Sequence, residues 1–326
     1  MYLFTRVGYI LGGGQGIIST PATNMGVRNM SNILEVRNLQ KAYGKYVALK
    51  NINFTIESGK IVGLLGKNGA GKTTLIKTLI GLFKEFEGEI FYQGKVIDHS
   101  NPEIMNTIGT LVDVSFHEDM TAYDNLKMLM MITPEKCRTD LKKEIGELLE
   151  FVGLIDNARD KVRSFSFGMK QRLALAQAMI SDAKLLILDE PFVGLDPLGI
   201  EIVKEKLLRL CREKNVSVIF SSHQLAEVAE LSDDIIVISN GEIGYSGSYQ
   251  ELVNENKKYY IFLDRLCENM ELINKYNMKN HSEQKMVSVS FCQHNLNNVL
   301  RDIQGADYTI LDIHTEENPL LELFKE

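Results

Sequence analysis

Gly66-Lys67-Asn68-Gly69-Ala70-Gly71-Lys72-Thr73 follows the apolar run Ile61 to Leu65 and precedes the periodic run Leu75, Ile76, Leu79, Ile80. The order is strand, glycine loop, helix, and it decides the fold class: α/β, built on a phosphate-cradling loop at the end of a parallel strand. Glycines let consecutive N–H groups turn inward on phosphate oxygens, and the helix N-terminus adds its partial positive charge. Lys72 supplies a full charge, Thr73 is left to hold a magnesium ion, and Thr74 continues the nucleotide-binding stretch from Gly66 through Lys67, Asn68, Gly69, Ala70 and Gly71.

A second stretch, Leu185-Leu186-Ile187-Leu188-Asp189-Glu190-Pro191, delivers two carboxylates to the end of an apolar strand. Open parallel sheets bind ligands at that end. Asp189 is placed to orient magnesium, and Glu190 to position or deprotonate an attacking water. Between the two motifs the pattern turns helical, with Leu141, Ile145, Leu148, Leu149 and Val152 on one stripe and a further helix over Gln171 to Ile180. Short β-rich runs at 33–37, 52–56 and 89–92 bracket the glycine loop, whereas helix 200–214 and strands 216–220 and 234–239 continue the alternation after Glu190. After Gly247 the texture shifts toward Asn, Lys and Glu. Strands at 259–263, 287–291 and 308–313, with helices around Met270 and from Leu296 to Ile303, define a small α/β appendage.

Composition narrows the partners. The 326 residues are 44% hydrophobic and 24% charged, with a formal charge of -7, so a surface that coats nucleic acid is not expected. Cys137, Cys211, Cys267 and Cys292 stand far apart without metal spacing and read as reduced thiols of a cytosolic protein. No run approaches the roughly 18 to 20 apolar residues that span a bilayer, so a membrane role passes through a partner. Residues 1–30 lack the pattern of a signal peptide, and the strand-like run after Met30 reads as the natural beginning; the extension is expected to be non-native or without fixed structure.

With Phe165-Ser166-Phe167-Gly168-Met169-Lys170-Gln171-Arg172 added, the chain resembles the ATP-binding cassette (ABC) ATPases from about Ile33 to Gly247. The resemblance implies a nucleotide-binding domain over 31–248, with a mixed central sheet, an antiparallel β subdomain and a helical subdomain at about 115–180, followed by the accessory domain 249–326. It implies two cassettes closing head to tail on ATP, so that the signature residues Ser166, Phe167, Gly168 and Met169 act in trans on the partner's γ-phosphate. Phe167 and Met169 depart from the usual glycine and glutamine. By the same register Tyr43 stacks on adenine, with Tyr46 its rival; Asp196 is the D-loop residue; and His223 is the switch histidine that contacts the γ-phosphate. Asp113 stands where most cassettes carry glutamine, and with Phe116, Met120-Thr121-Ala122 and Asp124-Asn125-Leu126 it resembles the cassettes of bacitracin-type and lantibiotic-type peptide exporters. A carboxylate there would favour magnesium, through a water more than directly. Met128, Met130 and Met131 suit either a groove for a permease helix or a core.

The resemblance implies an ATPase with ATP and Mg2+ as cofactors, with Lys72, Glu190 and His223 catalytic and Thr73, Asp113 and Asp189 at the metal. It would pair with a second ATPase subunit and a separate membrane permease at the cytoplasmic face, exporting a peptide antibiotic or bacteriocin, or a drug, for self-protection or resistance. The rival readings are a soluble, non-transport ABC ATPase and a regulatory module that dimerises on ATP.

Overall fold

The computed structural model describes residues 32–97, 104, 107–132, 140–180, 183–256, 258–281, 285–290 and 296–315. The extension 1–30, Cys137 and Cys292 lie outside the described residues.

Three sheets organise these residues. The first is antiparallel, in the order β2-β1-β4-β5, from strands β1 Asn32–Tyr43, β2 Tyr46–Glu57, β4 Glu87–Tyr92 and β5 Lys95–Val96. The second has six strands in the order β10-β9-β3-β8-β7-β6, namely β10 Glu242–Ser248, β9 Asp234–Ser239, β3 Ile61–Leu65, β8 Ser217–Ser222, β7 Leu185–Leu188 and β6 Ile108–Leu111. All of its pairings are parallel except β9 with β10. That mixture of one antiparallel and one mainly parallel sheet is the cassette fold expected from the sequence.

The continuous apolar runs are explained by burial on both faces of the second sheet. Ile61 and Leu65 of β3, with Leu186 and Leu188 of β7, face one core; Val62, Leu64, Leu185 and Ile187 face the other. The second core is closed by the first sheet and helix α1, Lys72–Leu79. The first core is closed by α2 Ala122–Ile132, α3 Leu141–Phe151 and α4 Phe167–Ala178 on one side, and by α5 Pro197–Lys214 and α6 Leu225–Leu231. Met130 is fully buried in it, whereas Met131 is exposed. Helix α4 begins four residues before the periodicity suggests, because Ser166 caps it: its Oγ accepts from the Met169 N–H at 3.2 Å.

Helix α7, Tyr249–Asn256, follows β10 and buries Tyr249 and Leu252 in the cassette core, so by packing it goes with the residues before it. Beyond it, β11 Lys258–Leu263, α8 Met270–Tyr276, β12 Lys279–His281, β13 Met286–Ser290, α9 Leu296–Gly305 and β14 Ile310–Thr315 alternate as βαββαβ. Their antiparallel sheet runs β12-β13-β11-β14, a ferredoxin-like topology with its own core around Ile261, Val287, Val299 and Ile303.

Strand order positions the site. In sequence β3, β6, β7 and β8 are far apart, but in the sheet β3-β8-β7-β6 are neighbours. Their C-terminal ends therefore present the glycine loop, His223, Asp189-Glu190 and Asp113 in a row along one edge.

Candidate functional site

The glycine loop lines a cleft of about 320 Å3, together with residues from both sides of the sheet edge. Its walls are Lys67, Asn68, Gly69, Gly71, Lys72, Thr73 and Thr74 of the loop and α1, Tyr43, Tyr46 and Ala48 of the antiparallel sheet, and Glu190 from the end of β7. Tight packing enforces two of the glycines. A β-carbon on Gly66 would come within 2.4 Å of the Ile238 carbonyl oxygen, and Gly71 takes φ 114° just before α1. Gly71 leaves α1 without a side-chain cap. Its first N–H groups therefore remain donors for an anion.

The Lys72 side chain is buried inside the loop, its Nζ donating to the Gly66 carbonyl at 2.7 Å. Burial pushes its ammonium below the usual lysine value, and the charges of Glu190 and Asp189 oppose that shift. A bound anion would oppose it further. Tyr43 and Tyr46, paired across the β1–β2 turn, both present exposed rings to the cleft. Tyr43 is steadied by an edge contact with Phe83 at 5.7 Å and by Lys41 Nζ over its ring. The geometry admits either ring as the base platform.

At the carboxylate end, Ser221 acts as a bridge. Its Oγ donates to Asp189 Oδ1 at 2.5 Å and accepts from the Glu190 N–H at 2.9 Å. The Glu190 side chain meets His223, Oε2 to Nδ1 at 2.8 Å, although β7 and β8 bring these residues from 33 positions apart. Behind them Glu227 is buried and accepts from Ser222 Oγ. Its carboxyl is pushed up by burial, with the neighbouring Glu190 adding to the shift and the Ser222 hydrogen bond opposing it. Asp113, at φ 47°, is exposed and makes an ion pair with Lys77 at 2.5 Å. Lys77 lies one turn beyond Thr73 on α1, so Asp113 is tied to the phosphate-loop helix by a side chain.

The signature residues stand apart from this cleft. None of Ser166, Phe167, Gly168 and Met169 is among its lining residues, and Phe167 is 62% exposed. The Phe167 ring lies against Gly194, and Asp196 caps α5 by accepting from the Gly199 N–H at 3.1 Å. A larger groove of about 910 Å3, between α3 and α5, contains none of the candidate site residues.

Ser221, Lys77 and Gln171 each touch a candidate residue without standing out in the sequence, and Glu227 lies buried one residue removed, against Ser222. For Ser221 a signal was present: two serines closing the apolar run Val218-Ile219-Phe220, immediately before His223.

Comparison with known proteins follows the same lines. The family model described as ABC transporter matches residues 49–193. The chain is 38% identical over 234 residues to the bacitracin transport ATP-binding protein BcrA of Bacillus licheniformis, covering 72% of this chain and 75% of that one. It is 38% identical over 229 residues to the lantibiotic transport ATP-binding protein SrtF of Streptococcus pyogenes, covering 68% of this chain and 96% of that one. Among solved structures, CbiO1 of Clostridium perfringens, part of the ABC transporter complex CbiONQ, superposes with a TM-score of 0.61 at 30% identity, over 69% of this chain and 92% of that one.

Proposed function

The chain belongs to the ATP-binding cassette family and is the ATPase subunit of an ABC transporter, and from that premise we propose a nucleotide-driven dimer that powers a separate membrane permease for the export of a peptide antibiotic. The observation that carries the catalytic part is the contact of Glu190 with His223 at the edge of the phosphate cleft. With Glu190 ionised, His223 Nδ1–H donates to it. That hydrogen bond holds the carboxylate for general-base work on a water; when both ring nitrogens carry protons, Nε2–H is left to donate to a γ-phosphate oxygen.

Lys72 and the loop N–H groups bind the phosphates, and Tyr43 or Tyr46 takes the adenine face. Each cleft is half of a site. The signature end, Ser166 to Met169, lies outside its own cleft, and a helix N-terminus of that kind suits the γ-phosphate of a nucleotide held by a second subunit. Ser166 spends an oxygen lone pair on its own helix and keeps its O–H to donate. Asp196 stands at the same face, at the start of α5.

Magnesium fits the donor set. The groups offered are oxygens, the Thr73 hydroxyl and the Asp189 carboxylate, and the described residues hold no cluster of three or more His, Cys, Asp or Glu side chains that could hold a metal. Magnesium takes one or two carboxylates and otherwise keeps water and substrate phosphates. When bound it neutralises phosphate charge. Asp113, committed to Lys77, contributes through a water rather than as a ligand.

Support for the permease and the cargo is comparative. CbiO1 is part of a transporter complex, and two relatives at 38% identity are named for bacitracin and lantibiotic transport. No helix among the described residues is long and apolar enough to cross a membrane. The test is to isolate the chain with the membrane protein that co-purifies with it, reconstitute both in vesicles, and measure ATPase activity with bacitracin or a lantibiotic added. Stimulation of several-fold supports the cargo reading. ATPase activity that ignores both peptides and the membrane protein removes it.

A further inference from the structure

Glu190 sits at φ 50°, a left-handed conformation that a residue with a β-carbon adopts only when its surroundings over-determine it. Four groups do so here. Its N–H donates to Ser221, its carboxylate meets His223, and its carbonyl oxygen accepts from Gln171 Nε2 at 3.1 Å and from the Val193 N–H at 3.3 Å. The first two partners belong to β8 and the turn after it. Gln171 comes from α4, the helix whose first residues are the signature.

The same face of α4 holds the other end of the loop that Glu190 begins. Phe167, four residues before Gln171, packs so closely on Gly194 that a β-carbon there would lie 1.9 Å from the ring. Gly168, three residues before Gln171, approaches the Gly194 carbonyl oxygen to the point where its own β-carbon would lie at 3.0 Å. One side of the signature helix therefore grips residues 190 to 194 at both ends.

We propose that Gln171 is a positioning residue that links the two nucleotide sites of the dimer through a single chain. The proposal rests on the in-trans reading given above. Ser166 of a chain addresses the nucleotide held by the partner, whereas Glu190 of that chain addresses its own. Residues 166 to 171 span about 7.5 Å of helix, short and hydrogen-bonded enough to move as one piece. When the partner's γ-phosphate engages the signature, Gln171 carries the displacement to the Glu190 carbonyl. The carboxylate is then aligned only while the second site is filled. No bond is made or broken; the effect is orientation.

The test uses the full chain carrying Gln171→Leu, which keeps the side-chain bulk and the helix but removes the donor. Gln171→Glu, of equal length with an acceptor in place of the donor, provides a second variant if the first folds poorly. Because Gln171 does not line the cleft, affinity for a non-hydrolysable ATP analogue stays within about twofold of wild type, whereas kcat falls about 10- to 100-fold, as misplacement of a reacting group does. The Hill coefficient for ATP falls to about 1. In a Glu190→Gln background the same substitution adds no further loss, since both act through one group. Unchanged kcat and Hill coefficient overturn the proposal, as does an equal loss in both backgrounds or a parallel loss of affinity. A lowered kcat with an unchanged Hill coefficient overturns the link between sites. Failure of the dimer reading shows separately, as the absence of an ATP-bound dimer of the Glu190→Gln protein.

Discussion

Glu227 shows how a residue outside every motif shapes the site. It lies buried behind His223, its hydrogen bond to Ser222 fastening the turn that follows β8. Burial raises its folded pKa above the ordinary value of 4.5, so the sign of its pH effect is set. Below the ordinary value both folded and unfolded states are protonated, and its contribution to stability is fully present. As pH rises through the raised folded value, the contribution is lost. Glu227→Gln keeps an acceptor for Ser222 and does not titrate. Its melting temperature relative to wild type should therefore increase between pH 5 and pH 8 by calorimetry; a difference that stays constant or narrows would be inconsistent with the assigned shift. Glu227 could not be singled out beforehand, because Glu190 comes near it only when β7 and β8 pair. The glycine loop and Asp189-Glu190 were legible because each is local: a short run of residue types that already states its own backbone geometry. Ser221, Gln171 and Lys77 act across 19 to 36 positions, and nothing in their immediate surroundings announces a partner.

Elements were readable in proportion to how far their burial pattern repeats. Strands β3 and β7 are buried on both faces and appear as unbroken apolar runs. The hairpin partner β10 alternates exposed and half-buried residues, and it escaped notice despite the Asn240-Gly241 turn, whose φ values of 50° and 77° suit a two-residue connection. Helix α4 was misjudged at its start, since its first turn is held by a cap and by the Glu190–Gly194 loop rather than by an apolar stripe. Its far end meets β6 at Gly109, where a β-carbon would come within 2.0 Å of the Ala178 carbonyl oxygen. Neither backbone can yield easily. Gly109→Ala should cost about 1 to 3 kcal/mol in denaturant unfolding, the range for overpacking a well-packed interior. A loss under about 0.5 kcal/mol would mean that β6 and α4 are less closely fitted than they stand here.

At the scale of the molecule, packing assigns α7 to the cassette and leaves residues from Lys258 onward as a unit with a core of its own. The division after Ser248 drawn from composition was reasonable, because texture changes there, but composition does not register that Tyr249 and Leu252 fold back onto β9 and β10. A chain ended after Ser248 should lose about 3 kcal/mol or more of cassette stability, from two buried side chains at roughly 1.5 to 3 kcal/mol each. One ended after Asn256 should keep wild-type stability in the cassette and wild-type ATPase activity. Equal melting temperatures for the two truncations would contradict this assignment, and loss of ATPase activity in the longer one would give the ferredoxin-like unit a part in hydrolysis.

If Glu190 serves hydrolysis at a cleft completed by a second subunit, the Glu190→Gln protein shows it in steady-state turnover and light scattering, each measured in the presence and absence of ATP and magnesium. Turnover should fall by about 100-fold or more, together with an ATP-dependent dimer that persists. Unimpaired turnover, or a protein that remains monomeric with ATP bound, would contradict that assignment.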